Sequence, residues 1–377
     1  MLRMTTVVLP LYALLFAVAH AWEHLPRSEF GSTFAKDYGA IVVACDKKST
    51  HLETEWSQII PETQIPFVSI DCAMDPVFCD SHKVVKSSVV KLFIHGEEKS
   101  TYIGPRRASA LLAWANRVQR SVVSEVSTAT LEDFKKTDET VFVAYLDAGD
   151  EASEAAFADV AGRYREEFTF GVATDAATLS AEGVTGPVIK CYKPLDGDTH
   201  EFKSLLDTDA LEKFVKEASR PVIGELLPHN HHRFLDRGWS MIYVFAATEA
   251  ERSAIRKELN KVARSYYDSL TMATVDPLEF PDLPAELGLD LDMLPAGAVH
   301  QLSKDRIYPY PKGRGWTSRE LQSWGLDVWQ GRIQPWTPPG VTTTYDDLGG
   351  KIRATQRVSI NNNIPGVKIR VGGRDEL

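Results

Sequence analysis

The stretch that decides the fold is residues 40–56, AIVVACDKKSTHLETEW. It opens with an apolar run, residues 40–44, that ends abruptly in a polar segment, which is typical of a buried strand followed by a turn. Thr50 and Glu53 fit the capping-box pattern, in which each side chain bonds to the backbone N–H of the other residue. The stretch therefore predicts a strand that leads into the N-terminus of a helix at about residues 51–60.

The same series of strands and helices recurs along the chain. A strand, a short helix, a hairpin and a closing helix follow the opening stretch, and the whole series returns twice at intervals of about 100 residues, as tandem domains do. The predicted elements include strands at 67–71, 99–103, 141–146, 222–226, 240–245 and 270–275, and helices at 109–120, 208–218 and 317–329. The sequence thus predicts an α/β fold with three tandem domains, 22–121, 122–220 and 221–336, each a central mixed sheet flanked by helices.

The two ends of the chain carry address signals. Residues 1–21 contain Arg3, an apolar run and Ala19-His20-Ala21, which together are typical of a cleaved secretory signal peptide. The last residues, Arg374, Asp375, Glu376 and Leu377, are a close variant of the Lys/His-Asp-Glu-Leu retrieval signal. We expect a mature protein in the endoplasmic reticulum lumen, with a retrieval receptor among its partners. No further hydrophobic run is long enough to span a membrane.

Charge and composition limit the other partners. The formal net charge is −10, with no basic cluster, which argues against a nucleic-acid partner. Residues 337–377 are rich in Thr, Asn, Gly and Arg, with scattered apolar residues, and predict an extended or disordered tail that presents the retrieval signal.

Short motifs in all three domains resemble the protein disulfide isomerase family, most closely its fungal members. The matching segments are Ile70-Asp71-Cys72 with Phe78-Cys79, Tyr102-Ile103-Gly104-Pro105-Arg106, Val143-Ala144-Tyr145-Leu146, Pro221-Val222-Ile223-Gly224-Glu225 and Gly331-Arg332-Ile333-Gln334-Pro335. The resemblance implies thioredoxin-like domains of the a, b and b′ types in a short form that lacks the family's second catalytic domain, a′.

The first domain departs from the family at its active site. When the chain is aligned on Glu55-Trp56, the two catalytic cysteines of the family fall on Asp46 and Ser49. Four further positions also differ from the family pattern: Ala40, Cys45, Ser69 and Ser88. Thiol-disulfide exchange needs an attacking thiolate and a resolving thiol, so we expect oxidoreductase activity to be absent or weak.

The four cysteines leave one enzymatic alternative. Cys45 beside a helix N-terminus, with Lys47 and Lys48 nearby, could be a reactive thiol, although a small buried residue explains it as well. Cys72 and Cys79 lie at a spacing that a strand end and the next helix can bridge, which predicts a structural disulfide that adds about 2–3 kcal/mol. The alternative function is an oxidoreductase that uses Cys45 or the Cys72/Cys79 pair. We expect Cys191 to be a buried, inert thiol.

No cofactor or metal site is predicted. His229, His231 and His232 have no cysteine pair nearby and fit a polar turn better than a zinc site. The acidic residues at 282, 286, 290 and 292 lack the spacing of a calcium-binding loop.

The third domain is the predicted working surface. In the family this domain binds unfolded clients in an apolar cleft, and the candidate residues here are Phe245, Phe280, Leu283, Leu287, Leu289 and Trp336. Apolar residues in irregular, proline-rich segments are difficult to bury completely. We therefore expect a client-binding protein whose partners are unfolded or partly folded polypeptides, and which could pass them to a catalytic disulfide isomerase.

Overall fold

A computed structural model of the chain describes residues 40–45, 67–84, 89–95, 97–105, 107–340, 343–345 and 352–354. The predicted signal peptide, the helix predicted at 51–60, Asp46, Ser49, Ser88 and the retrieval signal lie outside these residues. The chain divides into two compact units, Met1–Pro221 and Val222–Leu377. In the described part of the chain, no helix has the length and apolar character needed to cross a membrane.

The first sheet has four strands in the order β2-β1-β3-β4. Its elements are β1 (Ala40–Cys45), β2 (Phe67–Asp71), α1 (Pro76–Ser81), β3 (Val89–Ile94), β4 (Glu97–Tyr102) and α2 (Ala108–Gln119). β1 and β2 are parallel, whereas β3 runs antiparallel to both β1 and β4. The strand predicted at 99–103 was placed too late, because β4 begins with the exposed Glu97 and Glu98, which carry no apolar signal.

The second sheet has five strands in the order β5-β7-β6-β8-β9. Its elements are β5 (Ser124–Glu125), α3 (Leu131–Phe134), β6 (Val141–Tyr145), α4 (Glu151–Tyr164), β7 (Thr169–Ala173), α5 (Ala176–Ala181), β8 (Val188–Lys193), β9 (Asp198–Phe202) and α6 (Thr208–Ala218). Parallel strands β5, β7 and β6 are followed by the antiparallel hairpin β8–β9, so the sheet is mixed as predicted.

The third sheet repeats this topology in the order β10-β12-β11-β13-β14. Its elements are β10 (Gly224–Leu226), α7 (His231–Leu235), β11 (Ser240–Phe245), α8 (Glu249–Ser265), β12 (Leu270–Val275), α9 (Leu283–Glu286), β13 (Ala296–Gln301), β14 (Arg306–Pro309) and α10 (Ser318–Trp329). β10 is shorter than the predicted strand at 222–226, because Val222 and Ile223 are buried in the core without joining the ladder.

Beyond the third domain, a short antiparallel pair lies within the predicted tail. β15 (Thr343–Tyr345) pairs with β16 (Ile352–Ala354). These residues are extended as predicted, and in addition they form a two-stranded ladder.

Side-chain caps fix where the long helices begin. The Asp207 carboxylate accepts from the N–H of Ala210 at 3.0 Å at the start of α6. At the start of α8, Thr248 and Glu251 form a complete capping box. Such caps satisfy N–H groups that have no partner inside the helix, and each cap stabilises the folded protein by about 1 kcal/mol.

Each five-stranded sheet is covered on both faces. One face packs against the two long helices, α4 and α6 in the second domain and α8 and α10 in the third. The opposite side, called here the short-helix face, packs against α3 and α5 in the second domain and against α7 and α9 in the third. Because both faces are covered, the central strands are buried along their length and read as continuous apolar runs.

A buried arginine joins three elements of the third domain. Arg252 of α8 donates from Nη1 to the carbonyl of Ala246 at 2.9 Å and lies 3.0 Å from Oδ2 of Asp276. Its Nε lies 3.2 Å from Oε1 of Glu225, close enough for an ion pair although not aligned for a hydrogen bond. One guanidinium thus links α8 to the ends of β11 and β12 and to β10.

We predict that Arg252→Met destabilises the second compact unit by about 3 kcal/mol, because removing one partner leaves the carboxylates of Glu225 and Asp276 without their cation. Chemical denaturation, followed by circular dichroism, measures the change. Lys257→Met, an exposed position on the same helix, is the matched control and should change stability by less than about 0.5 kcal/mol. Equal stability of the two variants would contradict the prediction.

Candidate functional site

The predicted redox position is described only in part. The backbone of β1 ends at Cys45, opposite Asp71 of β2, and the turn that follows lies outside the described residues. Ser69, which stands where the family has a lysine, is buried in β2 opposite Val43. The assignment of Asp46 and Ser49 as the former catalytic positions, and of Cys45 as a reactive thiol, therefore rests on the sequence.

Cys72 and Cys79 are joined by a disulfide with a Cα–Cα distance of 5.7 Å. The bond ties the end of β2 to α1, whose first turn is capped by Asp75, which accepts from the N–H of Phe78 at 3.0 Å. Cys79 is buried. The two cysteines that could form a displaced redox pair are therefore bonded to each other across a strand–helix junction.

Cys191 lies in the core of the second domain. Burial raises the pKa of its thiol to about 12, and its Sγ lies 3.6 Å from the carbonyl oxygen of Ala218. A thiol with so high a pKa forms almost no thiolate at neutral pH, so it is a poor nucleophile.

His229, His231 and His232, which the sequence does not favour as zinc ligands, lie at or near the start of α7. His231 is the first residue of that helix and its ring packs edge-on against Phe280 at 5.8 Å, while His232 is exposed. Across the described residues, no group of three or more histidine, cysteine or acidic side chains is arranged to hold a metal ion.

The six predicted client-binding residues are all in the third domain, but they differ in burial. Phe245 and Leu287 are fully buried under the short-helix face and offer no surface to a client, so this part of the prediction is wrong. Phe245 belongs to a strand that is buried on both sides, which the sequence alone does not reveal. Phe280, Leu283 and Leu289 are partly buried at the edge of the same cluster.

Trp336 is seated on the same face. Its backbone N–H donates to the carbonyl of Ile307 at 2.7 Å, which forms an isolated antiparallel bridge with β14. The indole covers Gly288, where an added Cβ would lie only 2.5 Å from the ring. Gly288 also has a φ of +69°, a conformation that glycine adopts without strain. Trp336, Gly288 and Leu289 therefore form one continuous patch with the connection that precedes β13.

That connection, residues 276–295, also carries two exposed residues that the sequence interpretation missed. Leu278 is 78% exposed and Met293 is 54% exposed. The alternation of leucines and prolines through this connection was the available signal. We define the apolar connection as residues 276–295 together with Trp336.

Polar contacts hold the apolar connection at both ends. Asp276 at its start pairs with Arg252, and Asp290 near its end pairs with Lys312 at 2.5 Å. The indole N–H of Trp316 donates to the carbonyl of Pro295 at 3.0 Å. The exposed apolar side chains thus lie on a segment whose backbone is anchored to the sheet and to the α10 side of the domain.

The corresponding face of the second domain is closed by polar side chains. Tyr145 is the last residue of β6, as Phe245 is the last residue of β11. The hydroxyl of Tyr145 lies 2.7 Å from that of Tyr192. Tyr192 donates to the carboxylate of Glu182 at 3.0 Å, and Lys135 donates to the same carboxylate at 2.5 Å. Lys190 lies over the ring of Tyr145 at 5.7 Å. We call this group the tyrosine–glutamate network.

The ionisation of the network follows from its burial and its partners. Burial raises the pKa of both tyrosine hydroxyls, which therefore remain protonated donors. Burial alone would raise the pKa of Glu182 as well, but the hydrogen bonds from Lys135 and Tyr192 outweigh it, and the net pKa lies below the usual 4.5. The second domain thus presents fixed charge at the position where the third domain presents leucines.

Comparison with known proteins agrees with this architecture. The thioredoxin-like domain family matches residues 146–324. A protein disulfide-isomerase of Humicola insolens is 32% identical over 74% of this chain and 56% of its own length. A protein disulfide-isomerase of Aspergillus niger is 28% identical over 83% of this chain and 59% of its own length. The solved bb fragment of ERp72 is 15% identical, with a TM-score of 0.46, over 57% of this chain and all of that fragment.

The two repeated five-stranded sheets and the family match define a protein with thioredoxin-like domains. The relatives then give the family. The chain belongs to the protein disulfide-isomerase family, and it spans little more than half the length of the two curated relatives described.

The tyrosine–glutamate network predicts a pH dependence of stability. Because the folded pKa of Glu182 is lowered, its contribution is present above about pH 4.5 and is lost as the pH falls through the folded pKa. Glu182→Gln should lower stability at pH 7 and flatten the loss of stability below pH 4.5. Denaturant unfolding between about pH 3 and 7 measures both effects. Glu154→Gln, an exposed site on α4, is the control, and a wild-type pH profile in Glu182→Gln would refute the assignment.

Proposed function

We propose that this protein is a non-catalytic member of the disulfide-isomerase family that binds unfolded or partly folded polypeptides through its third domain. It would have three thioredoxin-like domains, because the first sheet, β2-β1-β3-β4, repeats the order β7-β6-β8-β9 and β12-β11-β13-β14 of the other two. Its address signals support residence in the endoplasmic reticulum lumen, where a retrieval receptor and a catalytic disulfide isomerase are the proposed partners.

The chemistry of the first domain supports a non-catalytic role. The tetrapeptide Asp46-Lys47-Lys48-Ser49 stands where the family has its Cys-x-x-Cys pair. Without a thiol at either position, neither the attack on a disulfide nor its resolution has a nucleophile. Of the cysteines whose side chains the structure describes, Cys72 and Cys79 are joined in a disulfide and Cys191 is a buried thiol of raised pKa.

The observation that carries the proposal is the apolar connection of the third domain. Leu278 and Met293 are exposed on the same connection as the partly buried Phe280 and Leu289, and the partly buried Trp336 packs against Gly288 of that connection. A client that covers one such leucine side chain gains about 1.5–3 kcal/mol, and apolar contacts of this kind do not depend on sequence. Binding through them is expected to be broad and individually weak.

The contrast between the domains supports this role for the third. In the second domain, residues 174–187 form a shorter connection with few apolar residues, and the tyrosine–glutamate network fills the face. A client would have to desolvate Lys135, Lys190 and Glu182 there, which costs free energy without a compensating partner. The second domain is therefore proposed to be structural.

We predict that the double variant Leu278→Asp/Met293→Asp loses most of its ability to suppress the aggregation of a reduced, unfolded client. The expected loss in client affinity is about tenfold or more, since two exposed apolar contacts are replaced by charge. Light scattering of the client at fixed chaperone ratios measures the effect.

The matched control is Leu195→Asp/Leu206→Asp, which adds the same charge at two leucines of the second domain that are each 69% exposed. This control should retain wild-type suppression. Wild-type protein that leaves client aggregation unchanged, or a control that loses as much activity as the test variant, would overturn the proposal.

The second candidate function is a thiol-disulfide oxidoreductase that uses Cys45 or the Cys72/Cys79 pair. The observation in its favour is the position of Cys45, at the end of β1 and directly before the turn that carries the active site in the family. We expect the rate of insulin disulfide reduction to match the protein-free blank, with Cys45→Ala unchanged from wild type. A rate above the blank that disappears in Cys45→Ala would favour the enzyme instead.

A further inference from the structure

Three arginines surround a small cleft in the first compact unit, where α2 meets the second sheet. Arg117 lies in the last turn of α2, Arg120 caps that helix, and Arg165 follows α4. Their side chains line a cleft of about 190 Å³, part of it open to solvent, together with Ser121, Ser124 and the start of β7. We call it the arginine cleft.

The arginine cleft has more positive than negative charge. Arg117 Nη1 lies 3.0 and 3.2 Å from the two carboxylate oxygens of Asp138. Among the described residues, no other carboxylate lies within 4.0 Å of the three guanidinium groups. Glu166 contributes only its backbone carbonyl, which accepts from Arg117 Nε at 2.9 Å. The cleft therefore contains three guanidinium groups, which are always charged, and only one carboxylate, that of Asp138, among the described residues.

Hydrogen-bond donors remain in the cleft as well. Arg120 uses Nη1 to donate to the hydroxyl of Thr169 at 3.3 Å, and that hydroxyl in turn donates to Asp138 at 2.9 Å. A guanidinium has five N–H donors, so most of those on Arg120 are uncommitted within the described chain. Arg165 donates from Nη2 to the carbonyls of Val118 and Arg120, both at 2.8 Å, while its buried Nε has no partner there.

This arrangement lowers the pKa of Arg120. Burial lowers the pKa of its guanidinium, the Asp138 carboxylate opposes that effect, and the neighbouring Arg117 adds to it. The guanidinium remains charged, since its pKa is far above neutrality in any case. A second anion in the cleft would relieve the repulsion between Arg117 and Arg120 and accept the uncommitted donors.

The geometry points to an anion-binding site: the arginine cleft binds a small tetrahedral oxyanion such as phosphate or sulfate, held by Arg120 and Arg165. Arginine forks bind oxyanions with two parallel N–H···O bonds, which are about twice as strong as neutral hydrogen bonds.

Binding has a direct structural consequence. The cleft is formed by the end of α2 on one side and by Arg165 and β7 of the next sheet on the other. An oxyanion held by both sides stabilises the folded unit in proportion to the logarithm of its concentration above the dissociation constant. The site thus makes the stability of the junction between α2 and the second sheet dependent on the oxyanion.

The test is hydrogen exchange and thermal unfolding of the full chain in inorganic phosphate, compared with sodium chloride at the same ionic strength. We expect phosphate to slow exchange in residues 115–125 and 165–171 and to raise the unfolding midpoint in a saturable way. Arg120→Gln should weaken the binding of phosphate by about tenfold or more, because it removes a charge-assisted hydrogen bond. Arg163→Gln, which removes an exposed arginine bound to Asp159, should leave the response unchanged.

Asp138→Asn provides the opposite change, because it removes the one competing anion and should tighten phosphate binding. The Asp138→Asn variant tests the proposal even if Arg120→Gln does not fold. Sulfate should act like phosphate, because both are tetrahedral oxyanions that arginine forks can bind. The proposal is overturned by a phosphate response equal to that of chloride, or by an unchanged response in a folded Arg120→Gln.

Discussion

Both faces of each five-stranded sheet are apolar and must be covered, and this constraint governs the rest of the structure. One face is covered in the same way in both domains, by two long capped helices. The short-helix face is covered by a first short helix, α3 or α7, and by the connection from the third strand to the hairpin, which is free to vary because no strand pairing depends on it. The difference between a closed structural domain and one with an apolar surface is therefore made in that connection, with the sheet unchanged.

Sequence patterns predicted the elements well wherever the pattern has a single physical cause. The helix 208–218 and the strands 240–245 and 270–275 have the predicted bounds, because an aspartate cap marks the helix and short runs of apolar and β-branched residues mark the strands. β4 was misplaced because its first residues are exposed glutamates. The disulfide between Cys72 and Cys79 could be predicted because a strand end and the adjoining helix turn bring their Cα atoms to 5.7 Å.

Burial within an apolar segment could not be predicted in the same way. Phe245 lies in a strand whose side chains are buried on both faces of the sheet. The alternation of residue types along this strand therefore does not show which side chains are exposed. Leu278 and Leu287 are both leucines of one connection, yet only Leu278 is exposed, because the difference depends on packing against the sheet. The arginine cleft was also beyond sequence reasoning, since Arg117, Asp138 and Arg165 are brought together only by the fold.

A single hydroxyl group marks the difference between the ways in which the two domains close the same face. Tyr145 and Phe245 occupy the same strand position, but the buried hydroxyl of Tyr145 requires a partner, which Tyr192 supplies. Tyr192 then donates to Glu182, and the half-buried carboxylate of Glu182 pairs with Lys135, so one buried hydroxyl is linked to a charged network across the face. Phe245 makes no such demand. Its face can be closed by leucines alone, and a cover made of leucines can be partly exposed without leaving a buried polar group unsatisfied.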